Sequence, residues 1–96
     1  MKTYTICGSM KFEKEMQKIA FDLETQQGYN ILQCVYHTGD PAPSEKELKQ
    51  LAIAHYKKID MSDGIYVVNI GGYIGESVSG EIEYAKKAEK EILYHC

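Results

Sequence analysis

The sequence predicts an α/β fold, a single three-layer αβα domain built on a parallel sheet, and three observations carry that prediction. Short runs rich in β-branched and aromatic residues alternate with segments whose apolar residues recur every three or four positions. The segments between the runs hold helices of ten or more residues, the crossover length that parallel neighbours require. A chain of 96 residues supports one hydrophobic core and has no room for a second module, so residues 1–96 read as one domain.

The first run, TYTIC, is bounded by Gly8 and reads as a strand ending in a turn. After Ser9, the residues Phe12, Met16, Ile19, Ala20 and Leu23 mark one face of an amphipathic helix that ends near Gly28. YNILQCVY follows as a second strand, apolar enough to be covered on both faces. HTGDPAP, which holds both prolines, is a loop. Ser44 and Glu47 in SEKE form a capping-box pattern that starts a second helix, whose apolar face is Leu48, Leu51, Ala52, His55, Tyr56 and Ile59. After the turn MSDG come a third strand, GIYVVN, a glycine-rich loop, a third helix over IEYAKKAEKE and a last strand, ILYHC. The alternation implies helices on both faces of the sheet, in a flavodoxin-like or Rossmann-like arrangement.

Composition removes several classes of function. The net charge is −3, from 11 basic and 14 acidic residues without a basic block, so a nucleic-acid partner is not expected. Cys7, Cys34 and Cys96 show neither an even count nor CxxC spacing, which argues against a disulfide framework and against a zinc site. A reducing, cytoplasmic location is the simplest expectation. No apolar stretch approaches the ~18 to 20 residues of a membrane span, and no membrane partner is expected.

In open parallel sheets, ligands bind beyond the carboxyl ends of the strands. Three loops there carry unusual residues. In CGSMK, Gly8 lets the backbone approach a ligand, Ser9 offers a hydroxyl at a helix start and Lys11 supplies a positive charge, which together make an anion site. The alternative is a turn, an ordinary N-cap and a solvated lysine. In VYHTGD, His37 lies beside Tyr36 and Asp40 at the sheet edge, without a ligand role being favoured. In NIGGYIGESVSGE, the spacing of Gly71, Gly72, Gly75 and Gly80 matches neither a Walker A loop nor a GxGxxG fingerprint. Glu81 falls in the first turn of the expected third helix, where a carboxylate serves as base or nucleophile, or only as a favourable charge at the helix dipole. Glu76 is the competing carboxylate. Asp60 and Asp63 read as turn residues, and Cys7, Cys34 and His55 as core positions.

ICGSMK, SDGIYVVN, the glycine-containing loop and GEIEYAKK together resemble the nucleoside 2-deoxyribosyltransferase superfamily, including its deoxynucleoside 5′-monophosphate N-glycosidase branch. The likeness extends to small bacterial and phage members and spans nearly the whole chain. It implies a small flavodoxin-like domain and a glutamate nucleophile that attacks C1′ of a deoxyribose, which GEIEYA places at Glu81. It also implies a substrate site of Gly8, Ser9, Lys11, His55, Asn69, Gly72, Tyr73, Gly75, Ser77 and Ser79. Ser9 and Lys11 would hold the 5′ end, Tyr73 would stack on the base, and Ser77 or Ser79 would add hydrogen bonds. Lys11 stands where the family has an arginine, and His55 where it has a sugar-binding carboxylate. No cofactor or metal is implied. The partners implied are a nucleoside or nucleotide and further copies of the chain, in a homodimer or larger homo-oligomer. A non-catalytic nucleotide sensor using the same cleft, and a plain interaction domain with a structural glycine loop, remain the alternatives.

Overall fold

The computed structural model describes every residue except Thr38 and Asp40. Strand β1 (Thr3–Gly8) leads through a 3-10 turn at Met10–Phe12 into helix α1 (Glu13–Asp22), which continues as a π-helical turn to Gln27. Gly28 closes that helix in the left-handed conformation, at φ 72°. Strand β2 (Asn30–Leu32), helix α2 (Glu45–Asp60), strand β3 (Gly64–Val68), a 3-10 turn at Ile70–Gly72, helix α3 (Glu76–Lys87) and strand β4 (Glu91–Tyr94) complete the chain. All four strands are parallel, in the order β2-β1-β3-β4, which is the flavodoxin-like order. The direction of winding reverses between β1 and β3, so the crevice for a ligand lies beyond Gly8 and Val68.

Strand alternation builds the two cores. Tyr4 and Ile6 of β1 face α1, packing with Met16, Ile19, Ala20 and Leu23, while Cys7 with Ile65 and Val67 of β3 faces Ile59 of α2 and Val78, Ile82 and Ala85 of α3. The helices therefore cover both faces of the sheet, as expected. Ser44 caps α2 with a complete capping box: its hydroxyl accepts from the Glu47 N–H, and the Glu47 carboxylate accepts from the Ser44 N–H. Asp63 accepts from the Thr3 N–H at 2.8 Å and Asp60 from the Tyr84 hydroxyl at 2.6 Å, both serving to tie elements together. Among the described residues, no helix is long and apolar enough to cross a membrane.

Three expectations change. The second strand bonds to its neighbour only over Asn30–Leu32, because β2 is an edge strand with one partner, and the chain beyond it leaves the ladder, with Val35 exposed. Helix α2 buries only Ile59 fully; Leu48 and Ala52 are exposed because its first half borders an open cavity instead of packing on the sheet. Helix α3 starts at Glu76, with Gly75 as its N-cap. The buried stripe Val78, Ile82 and Ala85 begins a full turn earlier than the expected start, so the segment from Ser77 to Gly80 is helix and not loop. Glu81 accordingly sits in the second turn of α3, and Glu76 occupies the first.

Candidate functional site

A cavity of about 750 Å³ opens where the switch point requires, bounded by the β1 loop, α2 and the start of α3. Its size falls within the range of small-molecule sites. Gly8 and Ser9 reach it from the first loop, His55 from α2, Tyr73 and Gly75 from the glycine-rich loop, and Ser77 and Glu81 from α3, with Glu76 at the same opening. The reversed winding brings these separate loops together, and the early start of α3 aims Glu81 inward.

At the cavity's inner wall, three groups from three elements converge. His55 Nε2 lies 3.3 Å from Glu81 Oε1 and 3.4 Å from Cys7 Sγ. The side chains of His55 and Glu81 are 12% and 14% exposed, and Cys7 is fully buried. Burial opposes charge on the imidazole, but the nearby Cys34 sulfur and the Glu81 carboxylate, with its charge, outweigh it and hold the ring's pKa up at about 9. His55 is therefore an imidazolium at neutral pH. Burial, followed by the charge of Glu81, pushes the Cys7 thiol well above its ordinary value, so Cys7 is a neutral thiol in the same conditions.

Ser9 accepts a hydrogen bond from the Lys11 N–H at 3.3 Å and so caps the 3-10 turn, while its residue still borders the cavity. The Lys11 ammonium sits 3.3 Å from the centre of the Tyr73 ring and 5.2 Å from that of Phe12, a cation–π clamp at the rim. Lys11 itself does not border the cavity. Nor do Asn69, Gly72 or Ser79. Asn69 instead pairs with the backbone of Cys96 through both ends of its amide, and the Ser79 N–H continues the first turn of α3 by donating to Gly75 O. Gly71 and Gly72 hold φ values of 65° and 80°, a left-handed turn that releases the chain from β3 toward α3. His37 borders the cavity and contacts Pro41 O at 3.0 Å; its expected neighbour Asp40 lies outside the described residues.

Cys7 and Cys34, core positions by sequence pattern alone, are neighbours of the site. The signal for Cys7 was present: it follows Thr5 on the face of β1 that meets α2 and α3, the side from which both His55 and Glu81 come. Comparison of the chain with family models, curated proteins and solved structures finds no match.

Proposed function

We propose that the protein cleaves or exchanges the base–sugar bond of a nucleoside or nucleotide, with Glu81 as nucleophile. One observation carries this reading: a largely buried carboxylate faces a ligand-sized cavity at the sheet's switch point, oriented by an imidazolium 3.3 Å away. In the reaction, a Glu81 oxygen bonds to C1′ while the C1′–N bond breaks and its electron pair leaves with the base, which takes a proton from solvent. Water, or a second base, then attacks C1′ and frees the carboxylate, so configuration is retained. Ser9 and the Gly8 backbone would meet the 5′ end, with Lys11 joining only by leaving Tyr73. Tyr73, whose ring borders the cavity, would stack on the base. A second copy of the chain would close the cavity along α2, where Leu48 borders it and is exposed. The reading includes a cytoplasmic location, where such substrates occur.

A non-catalytic nucleotide sensor in the same cavity is favoured by one fact: Glu81 is already paired, and a carboxylate neutralised by His55 is a poorer nucleophile. One experiment separates the two. Metal-free protein is incubated with deoxynucleosides and deoxynucleoside monophosphates, free base is followed by chromatography, and binding is followed by thermal shift. Turnover that Glu81→Gln abolishes while the thermal shift persists supports the enzyme. Binding without turnover supports the sensor, turnover lost in Glu76→Gln but not in Glu81→Gln moves the nucleophile to Glu76, and neither binding nor turnover rejects both readings.

A further inference from the structure

The convergence of Cys7, His55 and Glu81 has a geometry of its own. A thiol, an imidazole nitrogen and a carboxylate oxygen, delivered by β1, α2 and α3, lie with all their ligand atoms within 4.8 Å of one another. A tetrahedral zinc ion takes bonds of about 2.3 Å to sulfur and about 2.1 Å to nitrogen or oxygen, which sets neighbouring ligands about 3.6 Å apart for S to N and about 3.4 Å for N to O. The observed separations are 3.4 Å and 3.3 Å. Two of the three separations thus match a tetrahedral site, with His55 Nε2 at the shared corner, and the Cys7 sulfur and Glu81 oxygen lie within 4.8 Å of each other.

We propose that Cys7 Sγ, His55 Nε2 and a Glu81 carboxylate oxygen bind one divalent ion of the zinc type, with its fourth position open to the cavity. Charge favours this occupant: a dication with a thiolate, a carboxylate and a neutral imidazole sums to zero, the condition under which ionised groups are tolerated at a buried point. The mixed sulfur, nitrogen and oxygen donor set suits zinc and cobalt, and disfavours magnesium and calcium, which take oxygen ligands. Binding is ligand exchange without redox chemistry. The Cys7 thiol and the His55 imidazolium each release one proton to solvent, and the freed lone pairs bind the metal. Three protein ligands with an open position is the pattern of reactive zinc centres, whereas structural sites close all four positions with protein. CxxC spacing could not have signalled this site, because its ligands are separated by 48 and 26 positions in the chain.

This inference does not rest on the glycosidase reading. The two do make opposed demands on Glu81, since an ion bound to its carboxylate occupies the oxygen that would attack C1′. Bound zinc would therefore block base release by that route, and the cavity would then present a metal-bound water in place of a free carboxylate.

The test measures metal directly. Reduced protein is stripped with a chelator, dialysed against zinc and analysed by elemental mass spectrometry, then loaded with cobalt and examined for thiolate-to-cobalt charge transfer in the near ultraviolet. One ion per chain is expected. His55→Gln and Glu81→Gln should each weaken binding at least ~10-fold, and Cys7→Ser should remove the charge-transfer band. The Cys34→Ser, Cys96→Ser double variant removes the other two thiols, including Cys34 near His55, and should keep both metal and band. Circular dichroism establishes that each variant is folded; if Cys7→Ser is not, the double variant decides which thiol binds. Absence of stoichiometric metal in the wild-type protein overturns the proposal, as does loss of the band in the double variant or unchanged affinity in both Gln variants. Where turnover is present in metal-free protein, zinc should stop it, and continued turnover with one ion bound would place the ion elsewhere. Where turnover is absent, the metal measurements stand unaffected.

Discussion

In metal-free protein the His55–Glu81 pair should contribute about 2 to 3 kcal/mol of coupling to folding near pH 6 and little near pH 10. Two unit charges 3.3 Å apart attract by about 5 kcal/mol at the effective dielectric of ~20 that suits protein sites. Desolvation returns part of this, because both side chains are mostly buried. The pKa points the same way: the ring is raised from an ordinary value near 6.5 to about 9, on the order of a few kcal/mol, to which the Cys34 contact contributes as well as Glu81. The sign follows from linkage. The folded-state pKa is the higher one, so the stabilisation is complete below about pH 6.5 and is lost as pH rises through about 9. Cys7, Cys34 and Glu81 face the ring, with Tyr56 beside it on α2. A double-mutant cycle removes their separate contributions. The assay is urea unfolding of wild type, His55→Gln, Glu81→Gln and the double variant, with chelator, at both pH values. Coupling below about 0.5 kcal/mol at the lower pH, or undiminished coupling at the higher, would refute the charged pair.

Two further substitutions test the fold that carries the site. Gly64→Ala should destabilise by about 2 to 3 kcal/mol in urea unfolding, because a methyl there overlaps the Glu91 carbonyl oxygen and lies 2.9 Å from its carbonyl carbon, backbone that no rotamer change can move; a loss under about 1 kcal/mol would show that β3 and β4 can separate at little cost. Glu89, just past the end of α3, is the non-glycine residue with φ at 57°, where its neighbour's Lys90 N–H returns to Ala85 O. Glu89→Gly should therefore raise stability by about 0.5 to 1 kcal/mol and the melting temperature by a few degrees, and a decrease would mean that the side chain outweighs the strain.

The parallel α/β architecture is legible because β1 alternates, β3 is a short apolar run bounded by turns and α1 repeats every three or four residues, and Ser44 with Glu47 announces α2. The start of α3 is not. Four glycines read as a loop until the stripe of Val78, Ile82 and Ala85 is placed against the sheet, and packing then overrides glycine's low helix propensity at Gly80. The length of β2 is hidden for the opposite reason: an apolar run does not reveal that it lies at an edge. Of the candidate site, Gly8, Ser9, Tyr73 and Gly75 gather at one cavity from the loops, and His55, Ser77 and Glu81 reach it from α2 and α3, because the switch point depends on strand order. Asn69 and Lys11 went elsewhere, since their partners, the Cys96 backbone and the Tyr73 ring, are set by contacts that residue spacing does not encode.

The most informative residues are those that break a pattern their surroundings obey. Glu81 lies three positions after Val78 and four before Ala85, inside the stripe that α3 buries. His55 lies four positions after Leu51 and four before Ile59, on the face of α2 that meets the sheet. Cys7 occupies an inward position of β1. An apolar side chain at any one of the three would satisfy the packing, and a single ionisable group there would carry an uncompensated burial cost. Two of the three compensate each other as carboxylate and imidazolium, with the thiol beside them. That cost is met at the one point where the sheet's switch opens a cavity, so the three departures form one site. Occupancy of that point at the metal concentration in which turnover is assayed separates the proposed free Glu81 carboxylate from the proposed metal ligand.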